Sequence, residues 1–324
     1  MSLPVQISVP ARDAPRIRLD PFDHLWFQVT GTLCNLACTH CFISCSPSNR
    51  SLGFLDYEYV IRTLHDSREF AVKEYYFTGG EPFMHPRLLD MLEQTLAIGL
   101  ATVMTNGTLF RDSTIQRLAR MRDASIYSLE MRVSIDGPDA ATNDPIRGQG
   151  TFARAMAGVK KLVDAGFLPI ITMAQTWDHA ESESVYRKMR QALLELGYLR
   201  PRVKMLPSIR LGAEVARSRG YRDDERVTPQ MLQGYDTSNL ICSNSRIVSD
   251  RGVHVCPILI EQPDSILGQT LKEAASRDYP LRHQACYTCW LHGAICTNAS
   301  TAAQGREVAV SAASARTQTQ DLSL

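Results

Sequence analysis

The sequence predicts an α/β protein, an open, partial (β/α)6 barrel followed by a small cysteine-rich domain. Three observations carry that reading. Short apolar runs rich in β-branched and aromatic residues alternate with longer stretches of helical period from His24 onward, the pattern of parallel βα units. The alternation stops after about residue 207. The nine cysteines fall in two groups, Cys34 to Cys45 and Cys242 to Cys296, with none between.

In order along the chain, residues 1–23 hold four prolines without periodicity and read as an extended lead-in. Strands are expected at LWFQVT (25–30), YYFTG (75–79), ATVMTN (101–106), MRVSID (131–136), PIITMA (169–174) and RVKML (202–206). Helices are expected at 56–70, 86–98, 111–122, 151–165 and 181–196. Gly99, Gly166 and Gly197 follow three of them, where a terminating glycine belongs. Residues 24–210 thus form the barrel, and the loops after its strands form the active rim, as in complete TIM-type barrels. Residues 211–234 read as a linker, since RSRGYRDDERVTPQ (217–230) mixes charges of both signs. Residues 235–298 carry the second cysteine group on short apolar pieces, a small metal-stapled domain. Residues 299–324, rich in Ala, Ser, Thr and Gln, are expected to be disordered.

Composition narrows the function. Thirty-five Lys and Arg against 34 Asp and Glu leave a formal charge of +1, with 44% hydrophobic and 21% charged residues over 324 positions. Such a chain can bury a core, and it lacks the positive field that draws in nucleic acid or an anionic membrane. No apolar run approaches the ~20 residues that span a bilayer, and the first residues lack the apolar stretch of a secretory signal. A cytoplasmic location is expected. There an odd, clustered set of cysteines points to thiolate ligation of metal rather than to disulfides.

Cys34-Asn-Leu-Ala-Cys38-Thr-His40-Cys41 follows directly on the first strand. Three thiolates can hold three irons of a [4Fe–4S] cube and leave the fourth open, whereas four would serve ordinary electron transfer. Zinc also accepts three or four thiolates, but this spacing is not a common zinc pattern. With Gly79-Gly80-Glu81-Pro82 ending the second strand, Thr105-Asn106-Gly107 the third, Ser134-Ile135-Asp136-Gly137 the fourth, and Asp144-Pro145-Ile146-Arg147-Gly148 after it, residues 24–210 resemble the radical S-adenosylmethionine (SAM) superfamily. The resemblance implies that Cys34, Cys38 and Cys41 hold the cluster. It implies that the Gly79-Gly80 backbone and Glu81 receive the methionine amino group of SAM. Asn106 joins this cofactor set, Ser134 and Asp136 lie by the ribose or substrate, and Arg147 pairs with the methionine carboxylate, a role suited to a bidentate guanidinium. A turn acid and a structural ion pair are the alternative for Asp136 and Arg147. His40 stands where the family usually has an aromatic hydrocarbon, and its imidazole can still stack on adenine. Cys45, outside the motif, reads as a buried spare.

The second group, Cys242, Cys256, Cys286, Cys289 and Cys296, resembles the auxiliary-cluster extension behind many such barrels, in the shortened (twitch-like) form of the SPASM domain. The resemblance implies a second [4Fe–4S] cluster on Cys242, Cys256, Cys286 and Cys289. Cys296 is left to pack as a small apolar residue, to exchange with one of the four, or to donate a hydrogen atom. His179, Trp177 and the Tyr75-Tyr76 pair are explained by strand and helix-start positions.

The implied activity is reductive cleavage of SAM, served by a flavodoxin- or ferredoxin-type reductant, and hydrogen abstraction from a substrate carbon. A thiol donor then gives epimerisation; electron transfer to the auxiliary cluster gives alcohol dehydrogenation. With only about 23 residues before the first strand, no leader-binding domain is expected. The substrate expected by resemblance is a carbohydrate-like small molecule, as for neomycin-type epimerases acting on aminoglycosides or aminocyclitols. Peptide maturation is the alternative. A non-enzymatic iron–sulfur electron carrier is disfavoured by the missing fourth ligand at the first site.

Overall fold

The computed structural model describes residue 10, residues 13–293 and residue 297. A two-residue strand, β1 (Arg16–Ile17), precedes six parallel strands: β2 (His24–Gln28), β3 (Glu74–Thr78), β4 (Leu100–Thr105), β5 (Leu129–Ser134), β6 (Ile170–Ala174) and β7 (Arg202–Leu206). The crossovers are α1 (Tyr57–Ser67), α2 (Leu88–Thr95), α3 (Asp112–Ala124), the pair α4 (Ala140–Arg147) and α5 (Thr151–Asp164), and α6 (Ser182–Glu195). After β7 come α7 (Glu214–Arg217), β8 (Ser245–Ser249), β9 (Gly252–His254), β10 (Ile266–Gly268), α8 (Leu271–Ala275), β11 (Tyr279–Pro280) and α9 (Ala285–His292).

Leu25, Trp26 and Phe27 in β2, and Tyr75, Tyr76 and Phe77 in β3, are all buried. A parallel strand with helices outside and barrel interior inside has no solvated face, which is why these runs are continuously apolar rather than alternating. The helices supply the outer layer through one stripe each. Asp56 caps α1 by accepting from the Tyr59 amide at 3.0 Å, and the helix buries Val60, Thr63, Leu64 and Ser67, positions i, i+3, i+4 and i+7. α2 repeats the stripe with Leu88, Met91, Leu92 and Thr95.

Two details differ from expectation. Gly166 and Gly197 end their helices in left-handed backbone (φ +81° and +91°), but Gly99 does not. A Cβ on Gly99 would lie 2.7 Å from the Tyr75 ring, so this glycine answers a packing demand. Helix α4 is also new. It carries Pro145 and buries Asn143 and Asp144 instead of apolar residues, so it has no hydrophobic period to read.

The C-terminal segment continues the barrel's sheet. Strand order is β10-β9-β8-β2-β3-β4-β5-β6-β7, with β8 parallel to β2 and then β9 and β10 antiparallel. The lead-in joins too, β1 pairing with β11. Residues 217–230 are held down rather than freely solvated. Glu225 is buried and accepts from Arg210 at 2.9 Å and from the Arg222 amide at 2.7 Å, and Tyr221 bonds Thr288 at 2.7 Å. Cys296 and the tail 299–324 lie outside the described residues. Among the described residues no helix is long and apolar enough to cross a membrane.

Candidate active site

The strands' C-terminal ends surround a cavity of about 240 Å³. The loop after β2 brings Cys34, Cys38 and Cys41 to its wall. Neighbouring donors fix that loop. The Leu36 amide points at Cys34 Sγ (3.4 Å), as does Asn106 Nδ2 (3.8 Å), which also bonds Asn35 Oδ1 (2.8 Å). The Cys45 amide donates to Cys41 Sγ at 3.3 Å. Burial pushes the Cys34 thiol up to about 12 and Cys38 to about 11. Cys41 is lowered to about 6, first by its hydrogen bond from the Cys45 thiol. Buried thiols of this kind lose their protons readily only to a metal.

Three cysteine thiols from one loop at the cavity wall are a donor set that a [4Fe–4S] cluster could use, one thiolate on each of three irons.

Gly79 and Gly80 line the cavity at the end of β3. A Cβ on Gly80 would sit 2.0 Å from the Leu33 carbonyl oxygen, so only glycine lets the β3 turn press against the cysteine loop. Glu81 lies behind the cavity wall, not on it. Its carboxylate is fully buried and accepts from Thr105 Oγ1 (2.7 Å), the Asn106 amide (2.7 Å) and the Phe83 amide (3.1 Å). It ties the ends of β3 and β4 together behind the cavity, which Gly79 and Gly80 line. Burial pushes its carboxyl up to about 7 although those donors hold it down.

Ser134, opposite Thr172 in the β5–β6 register, faces the cavity; Arg147 and His40 do too. Asp136 lies behind them, buried. Its Oδ2 is 2.6 Å from Arg147 Nε and 2.8 Å from His40 Nε2, and its Oδ1 accepts from the Ala174 amide at 2.7 Å. Burial alone would raise its carboxyl, but Arg147 and His40 outweigh burial and hold it far below the usual range. Asp136 is therefore an anchor rather than a lining residue. His40 is committed to it edge-on through a ring nitrogen, which explains a histidine where a hydrocarbon ring would make no such bond.

A second, apolar cavity lies beyond β8. Cys242, Cys256, Cys286 and Cys289 all line it, among Leu240, Ile241, Val255, Ile258, Tyr279 and Leu281. They come from four places: the turn before β8, the end of β9, and two successive sites on α9. Burial drives the Cys242 and Cys286 thiols well above the ordinary range. No disulfide joins any two of the described cysteines.

Residues 29–177 match the radical SAM superfamily. Over those residues, a little under half of the chain, the barrel is similar to that superfamily. Over 153 residues the chain is 30% identical to the antilisterial bacteriocin subtilosin biosynthesis protein AlbA of Bacillus subtilis, covering 47% of this chain and 33% of that protein. Over 174 residues it is 28% identical to the mycofactocin maturase MftC of Mycolicibacterium smegmatis, covering 52% and 42%. The chain thus spans well under half the length of these curated relatives. Among solved structures, Streptococcus suis SuiB bound to precursor peptide SuiA superposes with a TM-score of 0.61 at 15% identity, over 79% of this chain and 65% of that one. The ends of the last two strands carry no motif in the sequence, yet they reach the site. Thr172 and Ala174 on β6, and Leu206 to Ile209 after β7, line the cavity. The strand-end rule pointed at them; no motif did.

Proposed function

We propose that this radical SAM enzyme acts on a carbohydrate-like small molecule of the aminoglycoside or aminocyclitol kind and inverts one carbon centre. Cys34, Cys38 and Cys41 would hold the SAM-binding [4Fe–4S] cluster, and Cys242, Cys256, Cys286 and Cys289 an auxiliary one in residues 235–298. When bound, cluster and SAM supply an electron and a 5′-deoxyadenosyl radical that removes a hydrogen atom from substrate. The protein's own part is to position. Arg147, its Nε steadied by Asp136, offers its remaining N–H groups to the SAM carboxylate, and the Gly79-Gly80 backbone accommodates the amino group.

Inversion needs a hydrogen atom from the opposite face, and Cys296 is the proposed donor. One observation supports it. Lys204 on β7 pairs in register with cavity-lining Thr172, so it faces the barrel interior, and its Nζ donates to the carbonyl of Thr297. Thr297 is buried there, one residue from Cys296. Donation breaks the S–H bond and forms a C–H bond. One electron from a flavodoxin- or ferredoxin-type reductant and one proton then restore the thiol.

Turnover in deuterated water tests this. Incubated with reductant, SAM and candidate aminoglycosides, the enzyme is expected to release 5′-deoxyadenosine and place one deuterium at an inverted carbon. Cys296→Ala should keep SAM cleavage and lose inversion. A product lighter by two hydrogens would instead identify alcohol dehydrogenation, and no 5′-deoxyadenosine from a cluster-replete protein would overturn the reading. Peptide maturation is the second reading, favoured by two relatives named as a bacteriocin biosynthesis protein and a maturase.

A further inference from the structure

Residues 39 and 40 of the cysteine loop are tied to the end of α4, the helix that bears Arg147. The Thr39 amide donates to the Ile146 carbonyl at 2.9 Å, and Thr39 Oγ1 donates to the same oxygen at 3.4 Å. One position on, His40 Nε2 lies 2.8 Å from Asp136 Oδ2, and Arg147 Nε lies 2.6 Å from that same oxygen. The Asp136 side chain is shut off from solvent, with those of His40 and Arg147 only 11% and 10% exposed. Its other oxygen is taken by the Ala174 amide, so β6, α4 and the cysteine loop all hold one carboxylate. With Nε committed to it, the terminal N–H groups of Arg147 are left for a ligand in the cavity that this residue lines. A hydrocarbon ring at position 40 would leave the carboxylate with fewer partners and the guanidinium with a looser support.

We propose that His40 is a positioning residue: through Asp136 it sets the orientation of Arg147, and so the affinity of the barrel for the carboxylate of SAM. This role is distinct from stacking on adenine, which any flat ring at position 40 would serve. It needs instead an N–H donor at the reach of a ring Nε2, which Phe lacks and the side-chain amide of Gln supplies. The inference rests on the radical SAM reading, through the pairing of Arg147 with the SAM carboxylate, but half of its test uses no SAM.

Equilibrium binding of SAM to the reconstituted full chain is the first arm, with iron content measured in wild type, His40→Phe and His40→Gln. His40→Phe is expected to weaken SAM about tenfold at unchanged iron, the size of one buried polar contact. His40→Gln should recover most of that loss. Decarboxylated SAM, which gives Arg147 nothing to grip, should bind wild type and His40→Phe alike. Full SAM affinity in His40→Phe with a loss in His40→Gln would mean that the ring stacks, and would overturn the proposal. Equal losses for SAM and its decarboxylated form would overturn it too. The second arm is a double-substitution cycle read by urea unfolding. His40→Phe should change the unfolding constant by about tenfold in wild type and by little in an Asp136→Asn background, where the shared carboxylate is already gone. Additive effects would sink the proposal. Coupling in urea from a cluster-replete wild type that binds no SAM would leave the clamp of His40, Asp136 and Arg147 standing and count against the radical SAM reading alone.

Discussion

Asp136 carries the heaviest electrostatic load of any single side chain at the site. It is fully buried, with Arg147 Nε at 2.6 Å and His40 Nε2 at 2.8 Å from one of its oxygens. Removing one member of such a cluster leaves the others buried without compensation. Asp136→Ala is expected to cost about 3–5 kcal/mol, read from urea unfolding; a loss under ~1 kcal/mol would deny it the anchor role. Glu81 gives a pH signature with its own sign. Its folded-state value, about 7, lies above the ordinary 4.5, so the folded chain holds the proton more tightly than the unfolded one. Stability should therefore fall as pH rises from about 4.5 to about 7. Glu81→Gln should flatten that slope in thermal unfolding at pH 5 and 8, and an equally steep slope would show that the carboxyl ionises elsewhere.

Elements act as brackets for these residues. Phe77 in β3 is fully buried and stacks on Phe27 across the β2–β3 register, with centroids 5.4 Å apart. Truncating it to Ala is expected to cost ~3–5 kcal/mol in unfolding free energy. The β3 turn is a sharper case, because it touches the cysteine loop through backbone alone. A side chain at Gly80 has to displace the Leu33 carbonyl. Gly80→Ala is thus expected to leave the circular dichroism of the barrel unchanged while lowering iron incorporation several-fold after reconstitution. Full iron content would mean that the loop can shift without losing its ligand geometry. Helix α4 works in a different way. Its polar core-facing side, with Asn143 accepting the Asp136 amide at 3.0 Å, holds the Arg147 end of the helix against the site.

At the scale of the molecule, the segments that bear the two cysteine groups are joined through one sheet. β8 pairs with β2, so the strand that launches the first cysteine loop also bears the segment that carries the second group. The proposed full chain should hold about eight irons, two four-iron cubes. Replacing Cys34, Cys38 and Cys41 by Ala should remove about four of them together with SAM cleavage. Replacing Cys242, Cys256, Cys286 and Cys289 should remove the other four. Metal analysis alongside 5′-deoxyadenosine assays separates the two losses, and a chain that never exceeds four irons would refute the auxiliary cluster.

The alternation of strands and helices, the strand-end positions of the motifs and the grouping of the cysteines were all legible in the amino acids, because period, turn chemistry and ligand spacing are local properties. Tertiary structure alone decided which groups face the cavity. Glu81 and Asp136 sit in motifs that point at a ligand, yet both turn inward, since a buried carboxylate goes to whichever donors the neighbouring strands bring. Helix α4 was invisible because its packing is polar. The bond from the Cys45 amide to Cys41 Sγ, and the shared cavity of four cysteines drawn from positions 242 to 289, follow from how the chain returns on itself, which no spacing along the sequence records.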